Sequence, residues 1–375
     1  MSTKLRVGFA GVRRASSFVS AFRVHPDTQV AAFCDLVADR AREAAAAHGA
    51  EAYPEFEAML DRGRLNAVLI ATPMPCHTPQ AIQALERGIH VLSEVPAAVS
   101  MEESRALALA ATRSRALYMM AENYCYMRPN VLLGAVIQAG LLGEVYFAEG
   151  EYVHELKELN ELTPWRRRWQ TGINGCTYPT HSLGPILQWL QTQRVTAVSC
   201  VGSGQHYRDP RGDLYEQEDS VLMLCRLSGG GLAKIRLDML SERPHAMTNY
   251  AAQGTRGAYE SARAYGETNR IWIAGRSPDK NRWDRLEAFE SEFLPGSWRN
   301  PPPEALAAGH GGGDYFEVVD FVNAALGRAP CPIGIHRALD MTLPGLVSQE
   351  SIAQGGAWLP VPDSRTWTTP CPAAP

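Results

Sequence analysis

Short apolar runs alternate with helical patterns through the first third of the chain, and this alternation limits its possible folds more than any other feature. The runs lie at 4–10, 30–35, 66–72, 90–94 and 116–122. They are continuously apolar, which is typical of strands buried on both faces of a parallel sheet covered by helices. The pattern predicts an α/β domain over residues 1–125, an N-terminal Rossmann domain with a doubly wound parallel sheet.

The pattern changes after Arg128, where strand-like runs follow one another with turn residues instead of crossover helices. These runs lie at 143–155, 196–203, 219–227 and 232–240, and a hairpin pattern follows at 250–261. Strands connected in this way pair mostly antiparallel. With helical patterns near 313–327 and 335–354, residues 126–375 are predicted to form an α+β domain with a large open, mostly antiparallel sheet.

Composition excludes several classes of partner. The net charge is -4 and no basic run exceeds Arg166-Arg167-Arg168, so we expect no nucleic acid. The N-terminus lacks a signal-peptide pattern and no apolar run approaches about 18 residues, so we expect a cytoplasmic protein without a membrane partner. The eight cysteines are scattered without metal-ligand spacing, which predicts reduced thiols and no metal.

The first strand ends in a turn where a dinucleotide-binding fingerprint would lie. Only Gly11 is in register, because Arg13 and Ser16 occupy the second and third glycine positions. A guanidinium at this turn either replaces backbone contact to the pyrophosphate with charge or makes the cofactor lie differently.

Asp35 strengthens the nucleotide-site prediction. It ends the second strand run, about two dozen residues after Gly11, near the offset of the acid that binds the adenosine ribose. A carboxylate there accepts the ribose hydroxyls and repels a 2′-phosphate, which favours NAD over NADP. The alternative is a helix N-cap. The expected NAD site contains Gly11, Arg13, Arg14, Asp35 and Thr72.

Two motifs, ATPMPCH at 71–77 and HVLSEVP at 90–96, resemble the glucose–fructose oxidoreductase/inositol dehydrogenase/MocA family. The resemblance implies that Met74 and His77 line the cofactor loop. Ordinary members carry a lysine where this chain has Val95, and an aspartate where it has Thr177. The resemblance therefore also implies that the usual dehydrogenase pair is missing.

Where the chain differs from ordinary members of that family, it resembles the NAD-dependent α-N-acetylgalactosaminidase branch, glycoside hydrolase family 109. The shared features are Glu94-Val95-Pro96, Glu122-Asn123, Tyr152, WRR at 165–167, YPTH at 178–181 and Gly309-His310-Gly311-Gly312. The residues that would contact NAD are Glu94, Val95 and Asn123. Those that would contact the sugar are Tyr152, Arg166, Tyr178, His181 and Tyr259.

The chemistry implied by this branch leaves no net oxidation. NAD takes a hydride from C3, the resulting ketone acidifies the C2 proton, and loss of that proton expels the C1 substituent. Water then adds and the hydride returns, so the overall change is hydrolysis.

Apart from the resemblance, the types of several of these residues also suit that chemistry. Removing a hydride from an alcohol requires a base for the hydroxyl proton, and Tyr178 and His181, three apart, share a face if helical. The alternative is a core tyrosine beside a helix-start histidine. Tyr152 and Arg166 suit sugar hydroxyl, acyl or carboxylate groups, whereas His310 suits either a substrate contact or a plain glycine-rich turn. His154 either extends the site or lies at a solvated strand edge, and the strand edge is favoured.

Three functions remain open from the sequence. The first is a redox-neutral, NAD-dependent enzyme that cleaves or remakes a glycosidic C1 bond. The second is an NAD-dependent sugar or amino-sugar dehydrogenase with net hydride transfer, and the third is a non-catalytic dinucleotide-binding sensor. Because open sheets of such folds often pack against a second subunit, we expect a homo-oligomer, either a dimer or a tetramer.

Overall fold

The computed structural model describes residues 4–244 and 246–368. Its chain folds into two compact units. The first contains the chain up to Tyr126, residues 301–339 and the chain from Asp363 onward. The second contains residues 127–300 and 340–362. The first unit is therefore discontinuous in sequence, and no local pattern indicated this return of the chain.

The first unit begins as a regular succession of strands and helices. These are β1 (Leu5–Ala10), α1 (Val12–Val24), β2 (Thr28–Cys34), α2 (Ala38–His48), β3 (Glu51–Tyr53), α3 (Phe56–Arg62), β4 (Ala67–Ile70), α4 (His77–Glu86), β5 (His90–Glu94), α5 (Met101–Arg113) and β6 (Tyr118–Ala121). The strands form a parallel sheet in the order β3-β2-β1-β4-β5-β6. The predicted Rossmann-type sheet is thus confirmed, and its strand order places the carboxyl ends of β1 and β4 side by side.

The chain continues into the second unit. Its elements are α6 (Arg128–Gln138), β7 (Val145–Val153), α7 (Lys157–Leu162), α8 (Pro164–Trp169), α9 (Thr180–Trp189), β8 (Val195–Gly202), β9 (Ser220–Leu227), β10 (Leu232–Asp238), β11 (Thr248–Gly254), β12 (Gly257–Glu260), β13 (Arg270–Ile273), β14 (Asp284–Arg285), α10 (Glu290–Phe293) and α11 (Gly296–Arg299). Beyond them lie α12 (Pro303–Ala307), α13 (Gly313–Ala325), α14 (Ile335–Ala353) and β15 (Leu359–Pro360).

The second sheet has nine strands in the order β14-β13-β12-β11-β7-β10-β9-β8-β15. Only β7 and β10 pair in parallel, and every other neighbouring pair is antiparallel. The large, mostly antiparallel sheet predicted from the sequence is confirmed. Along β9, Val221 and Met223 are fully buried, while Leu222 and Leu224 on the opposite face are half-buried. The sheet therefore packs one face into the core.

Two further observations bear on the sequence-based expectations. Within the described part of the chain, no helix combines the length and apolar character needed to cross a bilayer. The cysteines described by the structure are all free thiols, and Cys371 lies outside the described residues.

Candidate functional site

The turn after β1 depends on a glycine. Gly11 has φ 81°, in the left-handed region, and a Cβ placed on it would lie 2.4 Å from the carbonyl oxygen of Ala71. Any side chain here would force the turn away from the end of β4. The bare turn leads directly into α1, which begins at Val12. The exposed N-terminus of a helix at this place suits a pyrophosphate.

Asp35 lies at the end of β2, beside this turn. Its Oδ2 accepts a hydrogen bond from the Val12 amide at 3.1 Å, and Oδ1 accepts one from the Val37 amide at 2.9 Å. Each oxygen retains a second lone pair that a ribose hydroxyl can use. The neighbouring Leu36 side chain is 92% exposed, an apolar surface suited to an adenine ring that the sequence reading missed.

The loop after β4 is held by His77. Its Nε2 lies 2.7 Å from the Thr72 carbonyl oxygen and its Nδ1 lies 3.2 Å from that of Pro96. Burial lowers the pKa of this imidazole. A neutral ring carries one N–H, so it donates to one of these two carbonyls, and the nearer is that of Thr72. Met74 is buried as well. His77 therefore fixes the shape of the loop, and its predicted role toward NAD would be to position the backbone.

Arg14 connects α1 to the end of β5. Its Nε donates to Glu94 Oε1 at 2.6 Å, and its Nη1 lies 3.6 Å from Asp314 Oδ2. Burial alone would lower the pKa of Arg14, but the fields of Glu94, Asp314 and Glu317 outweigh it and raise that pKa. Arg14 thus serves as the counter-ion of buried carboxylates, whereas the Arg13 side chain is exposed near the pyrophosphate turn.

Asn123 follows β6 and meets a glycine-rich segment. Its Nδ2 lies 3.2 Å from Nδ1 and 3.3 Å from Nε2 of His310, and His310 Nδ1 lies 2.8 Å from Asp314 Oδ1. The carboxylate of Asp314 is fully buried and orients the imidazole. Among the described residues, Asn123 Oδ1 is buried with no hydrogen-bond partner, so it can accept a bond from a bound amide.

These residues fit NAD in the order that the sheet imposes. Gly11 and Asp35 follow β1 and β2, in the half of a Rossmann sheet that takes the adenosine nucleotide. Glu94 is the last residue of β5 and Asn123 follows β6, in the other half. The bare turn, the carboxylate and the buried amide oxygen supply the recognition groups that a dinucleotide requires. NAD, when bound, supplies an acceptor and donor of hydride.

The second unit brings three predicted residues into one ring cluster. The ring centroids of Tyr152 and His181 are 5.0 Å apart, those of Tyr178 and His181 are 4.9 Å apart, and those of Tyr152 and Tyr178 are 5.8 Å apart. Tyr178 lies before α9 and outside the helix, because the helix begins at Thr180. The predicted closeness of Tyr178 and His181 therefore arises from a turn at the helix start and not from a shared helix face.

Packing around α9 determines where the three rings of this cluster lie. Gly150 of β7 lies under the helix, and a Cβ on it would be 2.2 Å from the Ser182 carbonyl oxygen. The Tyr250 hydroxyl donates to the carbonyl of His181, and the Cys176 amide donates to Ser348 Oγ at 2.8 Å. The turn and the helix are therefore fixed to the strand that carries Tyr152.

Val95 and Thr177 stand at the two positions where the resemblance implies a lysine and an aspartate in ordinary dehydrogenases. Val95 is 2% exposed. The Thr177 hydroxyl donates to the Gln170 carbonyl at 3.3 Å. Neither side chain can act as an acid or base near neutral pH.

Two predicted sugar contacts have other surroundings. Arg166 donates to Gln170 Oε1 at 2.9 Å and its guanidinium lies over the Trp165 ring, so its contact with the sugar stays a prediction. Tyr259 is only 1% exposed, packs against Trp189 and lies 3.4 Å from Asn269 Oδ1. Its contact with the sugar therefore stays a prediction, like that of Arg166.

The sequence left His154 either as an extension of the site or at a solvated strand edge, and the structure places it beside Tyr152. Its Nδ1 lies 2.6 Å from the Tyr152 hydroxyl, and its ring contacts the Tyr152 ring edge-on. The spacing of the two residues could have predicted this contact, since residues i and i+2 of a strand share a face.

Comparison with known proteins covers both units. Residues 5–122 match the family model described as "Oxidoreductase family, NAD-binding Rossmann fold". Residues 126–368 match that described as "Glycosyl hydrolase 109, C-terminal domain". The second match extends over more than half of the chain.

Individual relatives agree with the family models. A "Glycosyl hydrolase family 109 protein" of Streptomyces filamentosus is 31% identical, covering 96% of this chain and 77% of the relative. An "Alpha-N-acetylgalactosaminidase" of Shewanella oneidensis is 28% identical, covering 93% and 82%. A solved levoglucosan dehydrogenase in complex with NADH and levoglucosan has the same fold, with a TM-score of 0.79 and 23% identity over 96% of this chain and 100% of that one.

Proposed function

The chain belongs to the glycosyl hydrolase 109 family and is an NAD-dependent enzyme that acts on a sugar; we propose that it cleaves a glycoside without net oxidation. In this scheme the sugar is oxidised at C3, the C1 substituent leaves after loss of the C2 proton, water adds, and the hydride returns.

The ring cluster carries this proposal. It places the Tyr178 phenol and the His181 imidazole against each other, with Tyr152 in contact with both rings. A hydroxyl proton must leave C3 when the hydride leaves, and an imidazole or a phenol next to it can take that proton. Since Val95 and Thr177 replace the usual lysine and aspartate, we assign this proton to Tyr178 and His181.

The remaining site residues would bind and orient. We propose that Asp35 and Gly11 hold the adenosine half of NAD, and that Glu94, Val95 and Asn123 face the nicotinamide half. Tyr152, Arg166 and Tyr259 would bind the sugar. His310, which Asp314 holds in place, is likewise proposed to contact it. Arg14 keeps Glu94 in place through the 2.6 Å contact.

The substrate class is an α-linked N-acetylamino sugar, proposed from the name of the Shewanella relative. The test begins with protein purified with its bound NAD and a panel of p-nitrophenyl glycosides, headed by the α-N-acetylgalactosaminide. Stripping the NAD should abolish nitrophenol release, and adding NAD back should restore it. Release that continues unchanged in stripped protein would refute the proposal.

We also propose a cytoplasmic homo-oligomer. Free thiols throughout the described chain are typical of a reducing compartment. The half-buried Leu222, Leu224 and Leu232 share the outer face of the nine-stranded sheet and suit a contact with a second copy. Sedimentation velocity of the purified protein tests the assembly, and a single monomer species would contradict it.

A further inference from the structure

The proposed reaction requires two separate proton removals. One proton leaves the C3 hydroxyl, and Tyr178 and His181 serve that step. The other leaves carbon C2, and it needs a base within reach of that carbon. Tyr152 contacts both rings of the first pair but has a different partner for its hydroxyl.

That partner is His154. The distance of 2.6 Å between Tyr152 Oη and His154 Nδ1 leaves room for only one proton between the two atoms. Tyr152 belongs to β7, and His154 follows the last residue of that strand. The His154 amide donates to the Asp238 carbonyl at 2.8 Å, which continues the pairing of β7 with β10 past the strand end. Strand pairing therefore fixes the backbone of His154, and the contact with Tyr152 Oη places its imidazole.

Resting on the proposed function, we propose that His154 is a further residue of the reaction, which receives the phenolic proton of Tyr152 when Tyr152 takes the C2 proton of the sugar. The C2–H bond breaks and its electron pair stays on the oxidised sugar as an enolate. The proton forms a new O–H bond at Tyr152 while the original phenolic proton forms an N–H bond at His154 Nδ1.

This step balances in charge and atoms. The sugar gains one negative charge, His154 gains one positive charge, and Tyr152 remains a neutral phenol throughout. A phenol alone is a poor base near neutral pH because its pKa is about 10, whereas an imidazole titrates close to neutrality. His154 thus gives Tyr152 a proton acceptor of suitable strength and holds its hydroxyl in place. The reverse transfer returns a proton to C2.

The test is hydrolysis of p-nitrophenyl α-N-acetylgalactosaminide, or of the best glycoside of the panel, in heavy water. The readouts are kcat, KM and deuterium at C2 of the released sugar by NMR. We expect His154→Ala and His154→Gln each to lower kcat roughly 100-fold, the lower range for acid–base catalysis. KM should stay within about twofold, and deuterium uptake should slow in parallel. Glutamine can accept the Tyr152 hydrogen bond but cannot take the proton, so it separates the two roles.

Further variants complete the design. In a Tyr152→Phe background, His154→Ala should lower kcat no further, because the two residues act as a unit. Added imidazole should partly restore His154→Ala. His206→Ala, which removes a largely exposed histidine of the same unit, is the matched control and should keep wild-type rates. Should His154→Ala fail to fold, His154→Gln and Tyr152→Phe carry the test.

Wild-type kcat and C2 exchange in both His154 variants would overturn this role while leaving the proposed function intact. Hydrolysis by the wild-type protein without deuterium at C2 would overturn the elimination itself, and with it the role of His154.

Discussion

The α-carbon of Gly150 on β7 lies so close to the carbonyl of Ser182 on α9 that a Cβ would come within 2.2 Å of that oxygen. This contact determines how near the start of α9, with His181, can approach the strand that carries Tyr152. Glycine is the only residue that fits without a shift of the helix.

Gly150→Ala should therefore damage both stability and activity. Overpacking against a backbone atom costs about 1–3 kcal/mol of unfolding free energy. Urea unfolding and glycoside turnover measure the two effects. Gly296→Ala is the matched control in the same unit, since nothing lies within 4 Å of a Cβ there. If Gly150→Ala behaved like Gly296→Ala, α9 would not be held by this contact.

Asp35→Asn should weaken NAD binding by roughly tenfold, since a hydrogen bond to a charged acceptor contributes about 1.5–3 kcal/mol. The same change should improve binding of NADP, because the negative charge that repels a 2′-phosphate is lost. Calorimetric titration of stripped protein with both dinucleotides provides the measurement. Asp39→Asn, an exposed acid on α2, should leave both affinities unchanged.

Glu317→Gln should change the pH dependence of stability. Burial, followed by the fields of Asp314, Glu94 and Glu122, raises the pKa of Glu317 well above its usual value. Below the ordinary glutamate pKa, the folded and unfolded states both hold this proton. As the pH rises, the unfolded chain loses it and the folded chain keeps it, so the free energy of unfolding falls until the folded pKa is reached.

The stability of the variant relative to the wild type should therefore increase from pH 5 toward pH 8. One proton corresponds to a slope of about 1.4 kcal/mol per pH unit. Urea unfolding at several pH values measures this slope. Glu43→Gln, on the exposed face of α2, should run parallel to the wild type. A constant difference between Glu317→Gln and the wild type would mean that Glu317 is ionised in the folded protein.

Tyr178→Phe and His181→Ala should each lower kcat by about 10²–10⁴, the contribution of a positioned acid or base. Because the two rings contact each other, the double variant should be little slower than the slower single one. Steady-state kinetics supply the comparison, with Tyr265→Phe, an 83% exposed tyrosine, as the control. Turnover that survived both single changes would remove the ring cluster from the chemistry.

Local patterns predicted most of the architecture. The continuous apolar runs of the first unit became the parallel sheet, because each strand is buried on both faces. β3 went unnoticed, since Glu51 and Ala52 are exposed and only Tyr53 is buried. The return of residues 301–339 to the first unit depends on long-range packing, which leaves no local pattern.

Local patterns also predicted part of the candidate site. Tyr178 and His181 were found by spacing and resemblance, although the helix start, not the helix face, brings them together. His154 was named but a strand edge was favoured for it, because its contact with Tyr152 depends on one side-chain distance. Gly150 was missed because its importance lies in one backbone approach.

The measurement that tests the central claim most directly is the ratio of sugar released to NAD bound. Protein carrying NAD, without free cofactor, is mixed with a large excess of glycoside, and released sugar and the reduced-nicotinamide absorbance are followed together. We predict many turnovers per bound NAD, an unoxidised free sugar and no lasting rise in absorbance. Release that stops after one equivalent, with a stable reduced cofactor and an oxidised sugar, would contradict the redox-neutral account.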